Sequence, residues 1–125
     1  GDSSTLEKIL SHNEYKYPDI LTISGMFQIV INEQIFFSEP HFPVFEFIKD
    51  ALAWTKCSDK HQKMAYSSME TETNPLIVFE KRESKWVISS PWQKYECTVG
   101  FTKEELTYAI FHLLETLTKK DLTHH

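Results

Sequence analysis

From residue 20 to residue 31 the apolar side chains Leu21, Ile23, Phe27, Ile29 and Ile31 share one parity, while Thr22, Ser24 and Gln28 take the other. Successive side chains of a strand point to opposite faces, so this alternation predicts a half-buried strand, with Gly25 marking a bulge or twist. Asn32 and Glu33 separate it from QIFFS, residues 34–38. Asparagine tolerates the positive φ of a tight turn, and a β-hairpin is predicted over 20–38. The polar stretch before it, residues 1–18, is closed by Pro18 and reads as a frayed end or a short helix.

A different period follows. At 100° per residue, Val44, Phe45, Phe47, Ile48, Ala51, Leu52 and Trp54 cover about half the circumference of a helix over 43–56, with Glu46, Lys49, Asp50 and Lys56 opposite. Pro40 and Pro43 preset φ for the start of that helix. Beyond it, KMAYSSME, PLIVFEKR, KWVISS and QKYECTVG are rich in aromatic and β-branched residues and are punctuated by TETNP, RES and SPW. They predict a four-stranded antiparallel segment over 62–99, because such brief turns allow no parallel crossover. Near the end, Thr102 and Glu105 form a T-x-x-E capping box flanked by Phe101 and Leu106 as a hydrophobic staple. A helix over 103–119 carries Leu106, Ala109, Ile110, Leu113, Leu114 and Leu117 on one stripe, with acids leading and lysines closing it. The predicted fold is α+β in a single domain: a mostly antiparallel sheet of about six strands, in the order ββ-α-ββββ-α, with two main helices packed on one face.

Composition limits what such a domain does. Its 125 residues, 41% hydrophobic and 14% aromatic, can bury a core without disulfides or a metal as staples. Thirteen basic residues against eighteen acidic ones leave a net charge of −5, which disfavours nucleic acid and favours a basic protein partner. Cys57 and Cys97 are expected to be free thiols of a reducing compartment. No basic stretch followed by an apolar one opens the chain, and no apolar run nears the roughly 18 residues of a membrane span, so a cytoplasmic protein without membrane contact is expected.

Chemistry is sparse. Glu39, His41, Glu46 and His61 can be assembled on paper into a metal site, but they have no H-E-x-x-H or C-x-x-C spacing, and neither metal nor cofactor is expected. Three glycines are too few for a nucleotide-binding loop, and no G-x-S-x-G elbow is present. The clustered Phe36, Phe37, Phe42, Phe45 and Phe47 read as core, with His41 left exposed in its turn. An aromatic pocket serving a small ligand or an enzyme is the alternative reading. Tyr108 and Phe111 lie off the main stripe of the last helix, where they cover the sheet margin or make a homodimer contact.

The surface residues that stand out are aromatic and acidic. Tyr66 or its neighbours, Glu70, Glu72 and Glu80 fall on the polar parity of the predicted strands, and Trp92, Tyr95 and Glu96 lie near a turn. Exposed Trp and Tyr among acids are what an interface uses against a basic partner, so these seven are the candidate partner-binding residues. The order GMFQIVINEQIFFSEPHFPVFEFIKDALAW, NPLIVFE, KWVISSPWQKYEC and FTKEEL, over residues 20 to 117, resembles a family of small bacterial proteins of uncharacterised role. More loosely it resembles single-domain immunity proteins encoded beside polymorphic contact-dependent toxins. That resemblance implies a non-enzymatic cytoplasmic protein that binds and blocks a basic toxin domain.

Overall fold

The computed structural model describes residues 17–123, with side chains as far as Lys119; the frayed end or short helix expected before residue 17 lies outside the described residues. The elements are β1 (Asp19–Ile23), β2 (Met26–Ile31), β3 (Gln34–Pro40), α1 (Val44–Thr55), β4 (Met64–Tyr66), β5 (Ile77–Arg82), β6 (Lys85–Ser89) and α2 (Lys103–Thr123). This is the expected α+β class, with six strands and two helices among the described residues. The strands are divided three and three, however, between two antiparallel sheets, β1-β2-β3 and β4-β5-β6.

The division has two local causes. Ser24 and Gly25 both take positive φ, 51° and 82°, and close a two-residue turn that pairs Ile23 with Met26. One long strand is thereby split into a hairpin, with a second two-residue turn at Asn32 and Glu33, φ 50° and 67°. A straight strand preserves parity, whereas a two-residue hairpin reverses it: Ile20 faces Ile29 and Thr22 faces Phe27. Ile20 is therefore buried and Ile23 is 56% exposed, the opposite of what continuous alternation predicts. On β3 the register slips between the Ile29 and Val30 pairings, leaving Phe36 as the extra residue of a bulge. Phe36 and Phe37, consecutive in sequence, are both fully buried as a result.

The second cause is the stretch 93–100, predicted as a strand. Its alternation is real, with Cys97 buried and Tyr95 and Val99 packed on the core, but it has no continuous partner. It runs as a strap between the sheets. The Lys94 N–H donates to Phe36 O on β3 at 2.8 Å, and Phe101 exchanges both backbone hydrogen bonds with Trp86 on β6. Gly100 permits the close pass along β6, since a Cβ there would lie 2.6 Å from Lys85 Cβ.

Helix α1 joins the layers. Phe47 sets its ring edge-on to Phe27 of the first sheet at 5.4 Å and to Phe79 of the second at 6.5 Å, and Trp54 meets Phe79 and Trp86 at 5.4 and 5.0 Å. Phe42 stacks on Phe27 at 4.3 Å. Phe45, expected on the buried stripe, is 63% exposed, because two residues of helix turn it about 200° away from Phe47. The capping box forms as predicted: the Thr102 N–H donates to Glu105 Oε1 at 2.8 Å and the Glu105 N–H to Thr102 Oγ1 at 3.1 Å, with Phe101 and Leu106 buried beside it. Helix α2 then buries Leu106, Ala109, Ile110 and Leu113 and packs on α1 and β1.

Candidate functional site: two ordered turns at one end of the second sheet

Of the seven candidate residues, Tyr66 is not at the surface. The register of β4, with Met64 opposite Phe79 and Tyr66 opposite Ile77, turns Met64 and Tyr66 inward and Ala65 outward. Tyr66 is 1% exposed, its ring against Phe47 and its hydroxyl 3.5 Å from Glu46 Oε1. Burial, and then the negative charges of Glu46 and Asp50, push its pKa up to about 12, so the phenol stays protonated at neutral pH. Tyr95 is structural too. Its hydroxyl lies 3.2 Å from Ile31 O and 3.1 Å from Gln34 O, tying the strap to the β2–β3 turn, and burial raises its pKa.

Glu70 and Glu72 lie on a loop, not a strand, and that loop is shaped by its own side chains. Asn74 Oδ1 accepts from the Ser68 N–H at 2.9 Å, while Asn74 Nδ2 donates to Ser68 O at 2.8 Å and Thr71 O at 2.7 Å. Ser68 Oγ accepts from the Glu70 N–H, and Thr71 Oγ1 from the Thr73 N–H, both at 3.1 Å. The Leu76 N–H closes the base by donating to Tyr66 O at 2.7 Å. Serine, threonine and asparagine thus supply turn bonds that no strand ladder provides. At the tip Met69 is fully exposed, followed by the exposed Glu70 and Glu72.

A second ordered turn follows β6. The Ser90 N–H donates to Gln93 Oε1 and the Trp92 N–H to Ser90 Oγ, both at 3.0 Å, leaving Trp92 38% exposed. Asn74 and Pro75 from the loop and Ser90, Pro91 and Gln93 from the turn border one groove of about 520 Å³, floored by Val78 and Ser89. The fold therefore brings the Glu70–Glu72 loop and the Trp92 turn to one end of the second sheet. Glu80 lies on the outer face of β5, paired with Arg82 at 3.5 Å, which offsets its charge. Glu96 is exposed on the strap.

Other candidate chemistry disperses. Among the described residues no three His, Cys, Asp or Glu side chains gather to hold a metal ion. His41 sits exposed at φ 57°, and Cys57 and Cys97 are free thiols. Phe36, Phe37 and Phe47 are fully buried in the aromatic core, where the rings pack against one another. Tyr108 and Phe111 are partly exposed on α2, with the Tyr17 ring 4.6 Å from that of Tyr108. No helix among the described residues is long and apolar enough to cross a membrane. Sequence reasoning missed Met69; its setting, SSMETETN, carries the Ser, Thr and Asn cluster of a loop.

Fold and site together define a small α+β domain with two side-chain-ordered turns bordering a shallow groove. The chain belongs to the DUF7878 family, a domain of unknown function that matches residues 3–124. No curated protein and no solved structure matches the chain, so the looser resemblance to immunity proteins has no support from these comparisons.

Proposed function

We propose that the protein is a non-enzymatic binding module of the bacterial cytoplasm, of the immunity type, that blocks a basic toxin domain. The observation that carries this reading is the 68–74 loop, which holds Met69, Glu70 and Glu72 in an ordered array beside the Trp92 turn. Exposed apolar anchors on a loop already held in shape lose little conformational entropy on binding, and flanking carboxylates steer a basic partner. The net charge of −5 acts in the same direction. Glu70 and Glu72 supply charge, Met69 and Trp92 supply apolar contact, and Glu80 and Glu96 extend the surface. Tyr66 and Tyr95 hold the scaffold beneath it.

The test is to sequence the gene's neighbourhood for a large secreted protein with a toxin-like C-terminal domain and, with that domain in hand, to titrate the two calorimetrically; a neighbourhood without one counts against the reading. Glu70→Lys with Glu72→Lys weakens binding by about a hundredfold and steepens no other defect, at roughly 1–1.5 kcal/mol per reversed charge at a desolvating rim. Unchanged affinity in that variant and in Met69→Ala with Trp92→Ala would remove this surface from the reading.

A further inference from the structure

The charge balance conceals a basic cleft at the second sheet, away from the acidic loop. Seven of the thirteen basic residues, Lys56, Lys60, Lys63, Lys81, Arg82, Lys85 and Lys103, come from three short segments of the chain. Lys60, Lys81 and Lys103 line a single cleft of about 510 Å³ together with the hydroxyl residues Ser58, Ser84 and Thr102. Trp86 and Cys57 also line it, and Glu104 is the one carboxylate residue there.

Each lysine is placed by the fold. On β5 the inward parity runs Ile77, Phe79, Lys81: two fully buried side chains and then a cation, opposite Trp86, where the core gives out into the cleft. Lys103 is held in position, its Nζ donating to Cys57 O at 3.1 Å and lying 4.9 Å from the Trp54 ring centre. Lys60 comes from the connection after α1. Among the described residues the ion pairs join Arg82 to Glu80 and Lys119 to Glu115, so none of the three cleft lysines has a carboxylate at ion-pair distance. The N-terminal end of α2 is already engaged by its own capping box.

We propose that this cleft binds a small ligand bearing two or more phosphate groups. Lysines serve phosphate as point charges, hydroxyls supply further donors, and the volume lies within the roughly 300–1,000 Å³ of small-ligand sites. A long nucleic-acid backbone is the wrong size for it and is repelled by the acidic remainder of the chain. The inference is independent of the immunity reading, because it uses none of the acidic-loop residues.

Trp54 and Trp86 are the natural reporters, so the experiment is fluorescence titration of the full chain carrying Trp92→Phe with inorganic tripolyphosphate and with orthophosphate, at low ionic strength. A saturable response is expected, with tripolyphosphate binding about tenfold or more tighter than orthophosphate, and with Lys60→Gln and Lys81→Gln each weakening it about tenfold. Lys119→Gln, on a lysine paired elsewhere, leaves it unchanged. Backbone amide NMR shifts for Ser58, Ser84 and Thr102 on titration provide a second readout that needs no tryptophan response. Absence of both a saturable signal and localised shifts overturns the proposal, as does equal weakening by Lys119→Gln. Glu70→Lys with Glu72→Lys leaves phosphate binding intact, which separates failure here from failure of the partner surface.

Discussion

The stretch from Phe36 to Trp54 and the loop 68–74 invert their apparent importance. The first is dense in phenylalanine, proline and histidine and looks like a motif, yet most of its rings are core: Phe37, Phe42 and Phe47 pack on Phe27, Tyr66 and Phe79. The second has no ring at all, yet it presents a fully exposed methionine and two carboxylates on a backbone held by its own serine, threonine and asparagine side chains. Aromatic density reports where area is removed from water. The shape of an exposed loop is reported by small polar residues, whose hydrogen bonds hold turns.

That contrast breaks in a definite order of effect. Phe47→Ala opens a cavity where α1 meets both sheets and should destabilise the protein by about 3–5 kcal/mol, read from urea unfolding. A loss below about 1 kcal/mol would mean that this ring does not couple the layers. Asn74→Ala removes one acceptor and two donor bonds from the loop and should cost about 1–3 kcal/mol, concentrated locally. Amide hydrogen exchange at Ser68 and Thr73 should accelerate while Phe79 keeps its protection. Uniform acceleration across both regions would show that the loop and core melt together.

The smallest effect concerns the point where the two regions touch, Tyr66. Its folded pKa is raised from 10.0 to about 12, so its neutral phenol contributes stability that is fully present below the unfolded value and is lost as pH rises through the folded one. Stability should therefore fall between about pH 10 and pH 12. Tyr66→Phe should flatten that part of the profile with little change in slope at neutral pH. An identical alkaline fall in both proteins, followed by chemical denaturation, would assign the loss to other groups.

Legibility in the sequence follows interaction range. The capping box of Thr102 and Glu105 and the Leu106, Ala109, Ile110, Leu113 stripe were readable because every partner lies within two helical turns. The hairpin at Ser24 and Gly25 was misread as one strand because alternation alone does not register that a two-residue turn reverses parity. Glu70, Glu72 and Trp92 were legible as surface residues, but nothing local indicated that they share one end of a sheet. Tyr66 was misplaced because which face of β4 is buried depends on β5, eleven residues further along.

Residue types and short-range periodicity determined the α+β class, the helices, the capping box and the net acidity, since each depends on neighbours along the chain. Tertiary structure alone decided the division into two sheets, the strap at residues 93–100 and the burial of Tyr66. It also decided the meeting of Lys60, Lys81 and Lys103 in one cleft. These depend on pairings between distant segments, where a single backbone hydrogen bond or a one-residue bulge changes which side chains meet.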